Sequence, residues 1–114
     1  MNIHVEQKDI ITVVSLEGRL DGVTMQQLEQ QLIQLLDQGN KHFLFQIEKL
    51  DYISSAGLRV MLFAIKRTKA IKGSVVLCMM QSNVRDIFDL SGFSSIFTIC
   101  NSEVEAWAYL QANV

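Results

Sequence analysis

The 114-residue chain has no proline and no serine- or glycine-rich stretch, so nothing in it marks a linker between domains. Residues 1–114 therefore read as one domain, close to the commonest domain size. Charge is sparse, at 19% of residues, and the net charge is −2 with a sequence pI of about 5.6. That balance argues against a nucleic-acid partner, which would need a basic face. The one basic cluster, Lys66, Arg67, Lys69 and Lys72, suits the last turns of a helix, where cations complement the carbonyl end of the dipole. There are only two cysteines, Cys78 and Cys100, in apolar, strand-like surroundings without CxxC spacing, which points to free thiols rather than a disulfide framework. The two histidines, His4 and His42, stand alone in strand-like stretches, and neither has the partners of a general base or a metal ligand. No apolar run approaches the roughly 20 residues of a membrane-spanning helix. The opening MNIHVEQKD also lacks the basic and apolar regions of a signal peptide, so the expectation is a soluble, cytoplasmic protein.

Catalytic signatures are missing too. There is no GxxxxGK[ST] or GxGxxG phosphate loop, no HExxH, and no converging set of acid, base and nucleophile. The sequence therefore predicts no enzyme activity, no cofactor and no metal site.

What is present is a folding pattern. Hydrophobic residues make up 49% of the chain, enough to offset the conformational entropy of folding. Ile3 and Val5, then Ile11 and Val13, alternate with polar residues, predicting two strands that turn between Gln7 and Asp9. Met25, Leu28, Leu32, Leu35 and Leu36 recur at helical spacing up to Gly39, with Thr24 or Asp21 near the start. His42 to Ile47 reads as a strand, followed by a connecting segment from Glu48 to Ser55 and a buried helix from Ala56 to Ile71. Ser74 to Met79 is apolar on both faces, as a central strand would be. Val84, Ile87 and Phe88 predict a short helix closed by Ser91-Gly92, Ile96 to Ile99 a last strand, and Val104 to Leu110 a terminal helix opened by Asn101 or Ser102. The order is ββαβαβαβα, an α/β fold with a mixed β-sheet and about four helices packed on it.

One segment stands apart, Leu50-Asp51-Tyr52-Ile53-Ser54-Ser55-Ala56-Gly57-Leu58-Arg59, because it sets two adjacent serines and small residues where a strand feeds a helix. Either serine can cap that helix, a role worth about 1 kcal/mol. Either could instead accept a phosphate, whose charge the free N–H groups of a helix start tolerate.

Three segments together resemble the STAS family, named for sulfate transporters and anti-sigma factor antagonists. Gly18-Arg19-Leu20-Asp21 is similar to the family's G-x-[LV]-D turn, the serine segment to its phosphoacceptor motif, and Leu90-Ser91-Gly92-Phe93-Ser94-Ser95-Ile96-Phe97 to its L-x-x-[ST]-G-[LF] stretch. The resemblance spans essentially the whole chain. It implies a non-enzymatic anti-sigma factor antagonist in a partner-switching pathway. Its partners would be an anti-sigma factor serine kinase with a histidine-kinase-like ATPase fold and a PP2C-type phosphatase. By position it makes Ser55 the phosphoacceptor, with Ser54 second, since Ala56 stands where some members carry another hydroxyl. It assigns Asp21, Ser54, Ala56, Gly57, Leu58 and Arg59 to partner binding, with helix capping or turn geometry as the other role open to Asp21. The alternative it implies is a soluble STAS accessory subunit of a membrane transport system.

Overall fold

Alternation builds the first hairpin. Strand β1 (Asn2–Lys8) and strand β2 (Ile11–Leu20) pair antiparallel around a two-residue turn in which Asp9 takes φ 62°. The structure is a computed structural model and describes residues 1–113. Helix α1 (Met25–Asp37) then returns the chain to strand β3 (His42–Ile53), which lies parallel to β2. Helix α2 (Ser55–Ala70), strand β4 (Ser74–Cys78), helix α3 (Ser82–Leu90), a 3₁₀ turn (Phe93–Ser95), strand β5 (Thr98–Cys100) and helix α4 (Glu103–Asn113) follow. The five strands stand in chain order across one mixed sheet, parallel from β2 to β5. The expected order ββαβαβαβα and the α/β class hold.

Each face of the sheet has its own apolar core. On one side Val14, Leu16, Phe43, Phe45, Ile47, Val75 and Leu77 meet the buried residues of α1, α2 and α3, such as Leu28, Leu32, Met61 and Phe88. On the other side Ile11, Val13, Leu44, Val76 and Cys78 pack under Ala106 and Leu110 of α4. Burial of both faces explains why Val75 to Cys78 is apolar throughout. Helix α4 starts with a reciprocal cap: Ser102 Oγ accepts from the Glu105 N–H at 3.2 Å, and the Glu105 carboxylate accepts from the Asn101 N–H at 3.1 Å.

The first turn falls at Asp9 and Ile10 rather than between Gln7 and Asp9, because Gln7 and Lys8 pair with Thr12 and Ile11, and two later boundaries differ further from expectation. Strand β3 runs on through Glu48 to Ile53, where the sequence predicts a connection. Its pairing with β2 shifts register twice, between Ser15 and Glu17 and between Gly18 and Arg19, so the buried residues Ile47, Leu50 and Ile53 fall three apart instead of two. Strand β5 begins at Thr98 rather than Ile96, because Ile96 closes the 3₁₀ turn and Phe97 turns inward onto Phe88, ring centroids 5.6 Å apart.

The remaining sequence expectations concern single side chains. Arg67 and Lys69 occupy the last turn of α2. His42 is buried, with Nδ1 2.9 Å from Ser74 Oγ, and burial, with Lys41 adding, lowers its pKa. Both cysteines are free; they are register partners across β4 and β5, and burial pushes the Cys78 thiol up to about 12. Among the described residues no helix is long and apolar enough to cross a membrane, and no cluster of three or more His, Cys, Asp or Glu side chains could hold a metal ion.

Candidate functional site at two helix starts

Parallel pairing of β2 and β3 ends on Leu20 opposite Ile53. The connection into α1 and the connection into α2 therefore leave the sheet side by side, at the carboxyl end of adjacent parallel strands, where α/β folds commonly place their sites. Two backbone features lock them together. The Ser54 N–H donates to the Leu20 carbonyl at 2.9 Å. Gly57, in the first turn of α2, lies so close to β2 that a Cβ on it would sit 2.7 Å from the Leu20 carbonyl oxygen and 2.8 Å from both Leu20 Cγ and Ile53 Cγ1. No other residue fits there without movement.

The two serines are not equivalent. Ser54 is the N-cap of α2, with φ −97° and ψ 176°, and its Oγ accepts from the Gly57 N–H at 3.3 Å. It is half-buried. Ser55 is the first residue of the helix and is exposed. Ala56, Gly57 and Leu58 turn inward and are buried, while Arg59, one turn beyond Ser55, is exposed. Of the α2 residues assigned to partner binding, only Arg59 is exposed and Ser54 partly accessible, beside the exposed Ser55. The three small or apolar residues between them hold that surface against the core.

Asp21 holds the turn into α1. Its Oδ1 accepts from the Val23 and Thr24 N–H groups at 3.0 and 3.1 Å, and its own N–H donates to Thr24 Oγ1 at 3.0 Å. The Thr24 hydroxyl in turn donates to the Arg19 carbonyl at 2.7 Å. Those N–H donors, Thr24 first and Val23 next, hold the Asp21 carboxyl below the usual carboxylate range. Thr24 is formally the residue before the helix but makes no side-chain cap itself. The bonds of Asp21 thus serve the turn rather than the helix cap; its carboxylate nonetheless remains at the surface, with the Arg19 Nε at 3.6 Å.

Sequence reasoning passed over Arg19 and Tyr52. They are register partners across β2 and β3, and the Arg19 guanidinium lies 4.3 Å from the Tyr52 ring centroid. Arg19 thereby links the Asp21 turn to the segment that leads into Ser54. The available signal was its place one residue before Leu20-Asp21, but the pairing with Tyr52 depends on the register shifts in β3. The far side of this strand end is tied down by α3: Asn83 Nδ2 donates to the Asp51 carbonyl at 2.6 Å, and Gln81 Nε2 to the Glu48 carbonyl at 2.8 Å. Along α2, Arg59, Leu62, Phe63 and Lys66 line a shallow depression of about 310 Å³, an apolar floor between two cations.

The arrangement offers a surface and a hydroxyl, held rigidly from behind. A STAS domain match covers residues 2–106. This chain belongs to the STAS family. It is 37% identical to BtrV of Bordetella bronchiseptica, which carries a provisional assignment as an anti-sigma factor antagonist, over 95% of this chain and 93% of that one. The anti-sigma F factor antagonist of Paenibacillus polymyxa is 26% identical over 97% of both chains. Among solved structures, an anti-sigma factor antagonist from Mycobacterium paratuberculosis superposes with a TM-score of 0.87 at 20% identity, covering 96% of this chain and 93% of that one. The STAS fold expected from three short motifs is therefore the fold of residues 2–106. The third of those motifs shapes the chain after α3: Gly92 takes φ 79° to end the helix, and Phe93 and Phe97 stack with ring centroids 6.0 Å apart, while Leu90 and Ile96 stay exposed.

Proposed function

We propose that this STAS protein is a phosphorylation-controlled anti-sigma factor antagonist that acts by binding and catalyses nothing itself. Unmodified, it binds an anti-sigma factor serine kinase with a histidine-kinase-like ATPase fold. The kinase phosphorylates Ser55, the complex separates, and a PP2C-type phosphatase restores the binding form. The observation that supports this reading most is the division of labour at α2: Ser54 makes the cap, which leaves Ser55 exposed on the first turn.

The chemistry follows from that position. A phosphate on Ser55 adds about −1.5 to −2 charges beside the free N–H groups of a helix start, which favour an anion. The fold absorbs the modification. At a docked partner the same group would be buried without a counter-charge, at a cost of roughly 3 to 4 kcal/mol. Since about 1.4 kcal/mol is tenfold in affinity, binding weakens several-hundredfold. Asp21, Ser54 and Arg59 form the rim of the docking surface, and the Arg59-to-Lys66 face of α2 extends it.

The test is to isolate the ATPase-domain protein that co-purifies with this chain, incubate the two with ATP, and locate phosphate by peptide mass spectrometry. Expected are one phosphate on Ser55, loss of binding on modification, and a Ser55→Ala variant that resists modification yet keeps its partner. Phosphate on Ser54 alone would move the acceptor. Co-purification with a transport complex and no modification at either serine would replace this reading with that of a transport accessory subunit.

A further inference from the structure

The two edges of the sheet are unlike. At one edge β5 has only three residues, Thr98 to Cys100, all half-buried. At the other, β1 offers seven residues and pairs with β2 without a break in register. Long, unbulged edges are what proteins usually avoid, by proline, bulges or a covering element, because their unpaired N–H and C=O groups template further strand pairing. This chain contains no proline, and β1 alternates between exposed and half-buried residues from Asn2 to Val5 and is exposed from Glu6 to Lys8.

The direction of the free backbone groups follows from the hairpin. Around the two-residue turn, Lys8 faces Ile11, and in such a hairpin the flanking pair exchanges hydrogen bonds. Bonding to β2 then alternates back through Glu6, His4 and Asn2. The N–H and C=O groups of Ile3, Val5 and Gln7 are left pointing away from the sheet.

We infer that β1 is a self-association edge, pairing antiparallel with β1 of a second copy about a two-fold axis at Val5. Centred there, Val5 meets its own symmetry mate, and Ile3 meets Gln7 of the other copy. These are the three residues whose backbone groups are free, and each such pair exchanges two hydrogen bonds. The side chains agree with this register. His4 falls opposite Glu6 of the second copy, and Asn2 opposite Lys8, so no like charges meet. Within one chain the same groups already associate, with Glu6 Oε2 3.2 Å from Lys8 Nζ and Glu6 Oε1 3.9 Å from His4 Nε2. A shift of the axis to His4 would set imidazole against imidazole, and a shift to Glu6 would oppose two carboxylates; the backbone groups suit all three registers, and the side-chain charges select Val5. Lys8 leans over Trp107 of α4, 5.8 Å from the ring centroid, which holds the end of the strand in place. The resulting ten-stranded sheet leaves both copies of the Ser55 surface free, since that surface lies at the carboxyl ends of β2 and β3.

Sedimentation equilibrium of the full chain across a wide concentration series tests this. The expected weight-average mass rises from 12.9 kDa toward twice that value. Val5→Pro removes an outward N–H on an edge strand, a place that tolerates proline, and should give a monomer with an unchanged circular dichroism spectrum. Glu6→Lys should weaken association about tenfold, counting the symmetric pair twice, and His4→Glu combined with Glu6→Lys should restore it. A chain monomeric at every concentration overturns the inference, as does association that neither the proline nor the charge exchange alters. Should Val5→Pro fail to fold, the charge exchange decides alone, because both residues are exposed.

Discussion

The two helix starts that meet beside β2 and β3 solve the same problem by different means. At α1 a charged side chain holds the turn that leads in: Asp21 accepts from two backbone N–H groups of that turn, which is open, with nothing within 4 Å of a Cβ placed on Gly22. At α2 a neutral serine caps through a single 3.3 Å bond, and the turn is shut against the sheet at Gly57. The first start is held by electrostatics and the second by close packing. A helix start held by packing can spare a hydroxyl and can admit a new negative charge, because no resident carboxylate occupies its N–H groups. On the proposed reading, this difference accounts for placing the modifiable serine at α2 rather than at α1.

The comparison breaks most severely at the glycines. Gly57→Ala forces a methyl group against the Leu20 carbonyl and the Ile53 side chain, and overpacking of this kind costs about 2 to 3 kcal/mol. Urea denaturation should show a lower midpoint with an unchanged slope. Gly22→Ala, in open space at the other start, should change stability by less than about 0.5 kcal/mol. Equal effects at the two glycines would mean that packing does not distinguish the two starts.

The next effect is at Asp21. Asp21→Ala leaves the Val23 and Thr24 N–H groups without their acceptor and releases Arg19, so the chain should unfold at lower urea, while Asp21→Asn should retain most of the turn bonds. The contribution is also pH-dependent. Because the native carboxyl titrates below its unfolded value, its stabilisation is complete above that unfolded value, about 3.9, and is lost as pH falls through the native one. The stability difference between the parent and Asp21→Ala should therefore shrink on acidification below pH of about 4. Ser54→Ala should show no such dependence, since a serine cap does not titrate.

How far the site could be read in advance follows from the same contrast. Local rules reached what local residues decide: the alternation of β1 and β2, the helical period of Leu28, Leu32 and Leu35, and the start of α1 near Asp21 or Thr24. They placed both serines at a helix start but could not separate them, because which one faces solvent depends on where β3 ends. That end was hidden by the register shifts that space Ile47, Leu50 and Ile53 three apart. Arg19 was missed for a related reason, its partner Tyr52 being set by long-range pairing. The burial of Ala56, Gly57 and Leu58 shows the converse: residues conspicuous in a motif can be conspicuous for packing. The opposite placement of α4, alone on its face of the sheet, has no signature in its own sequence beyond the capping pair Ser102 and Glu105.

The smallest effects discriminate most finely. Ser54→Ala removes one cap bond and should cost about 0.5 to 1 kcal/mol, toward the low end because the bond is long. Ser55→Ala should lie within about 0.5 kcal/mol of the parent, as an exposed first-turn residue outside the cap. Ser55→Asp should stabilise by about 0.3 to 1 kcal/mol through the helix dipole, and most at low salt. That sign matters for the proposed switch. If a negative charge at Ser55 stabilises the free protein while abolishing capture by the kinase, release is a property of the interface, where the charge loses its solvation. If Ser55→Asp instead lowers the melting temperature, phosphorylation would act by loosening the start of α2, and the packing at Gly57 would be the element that transmits it.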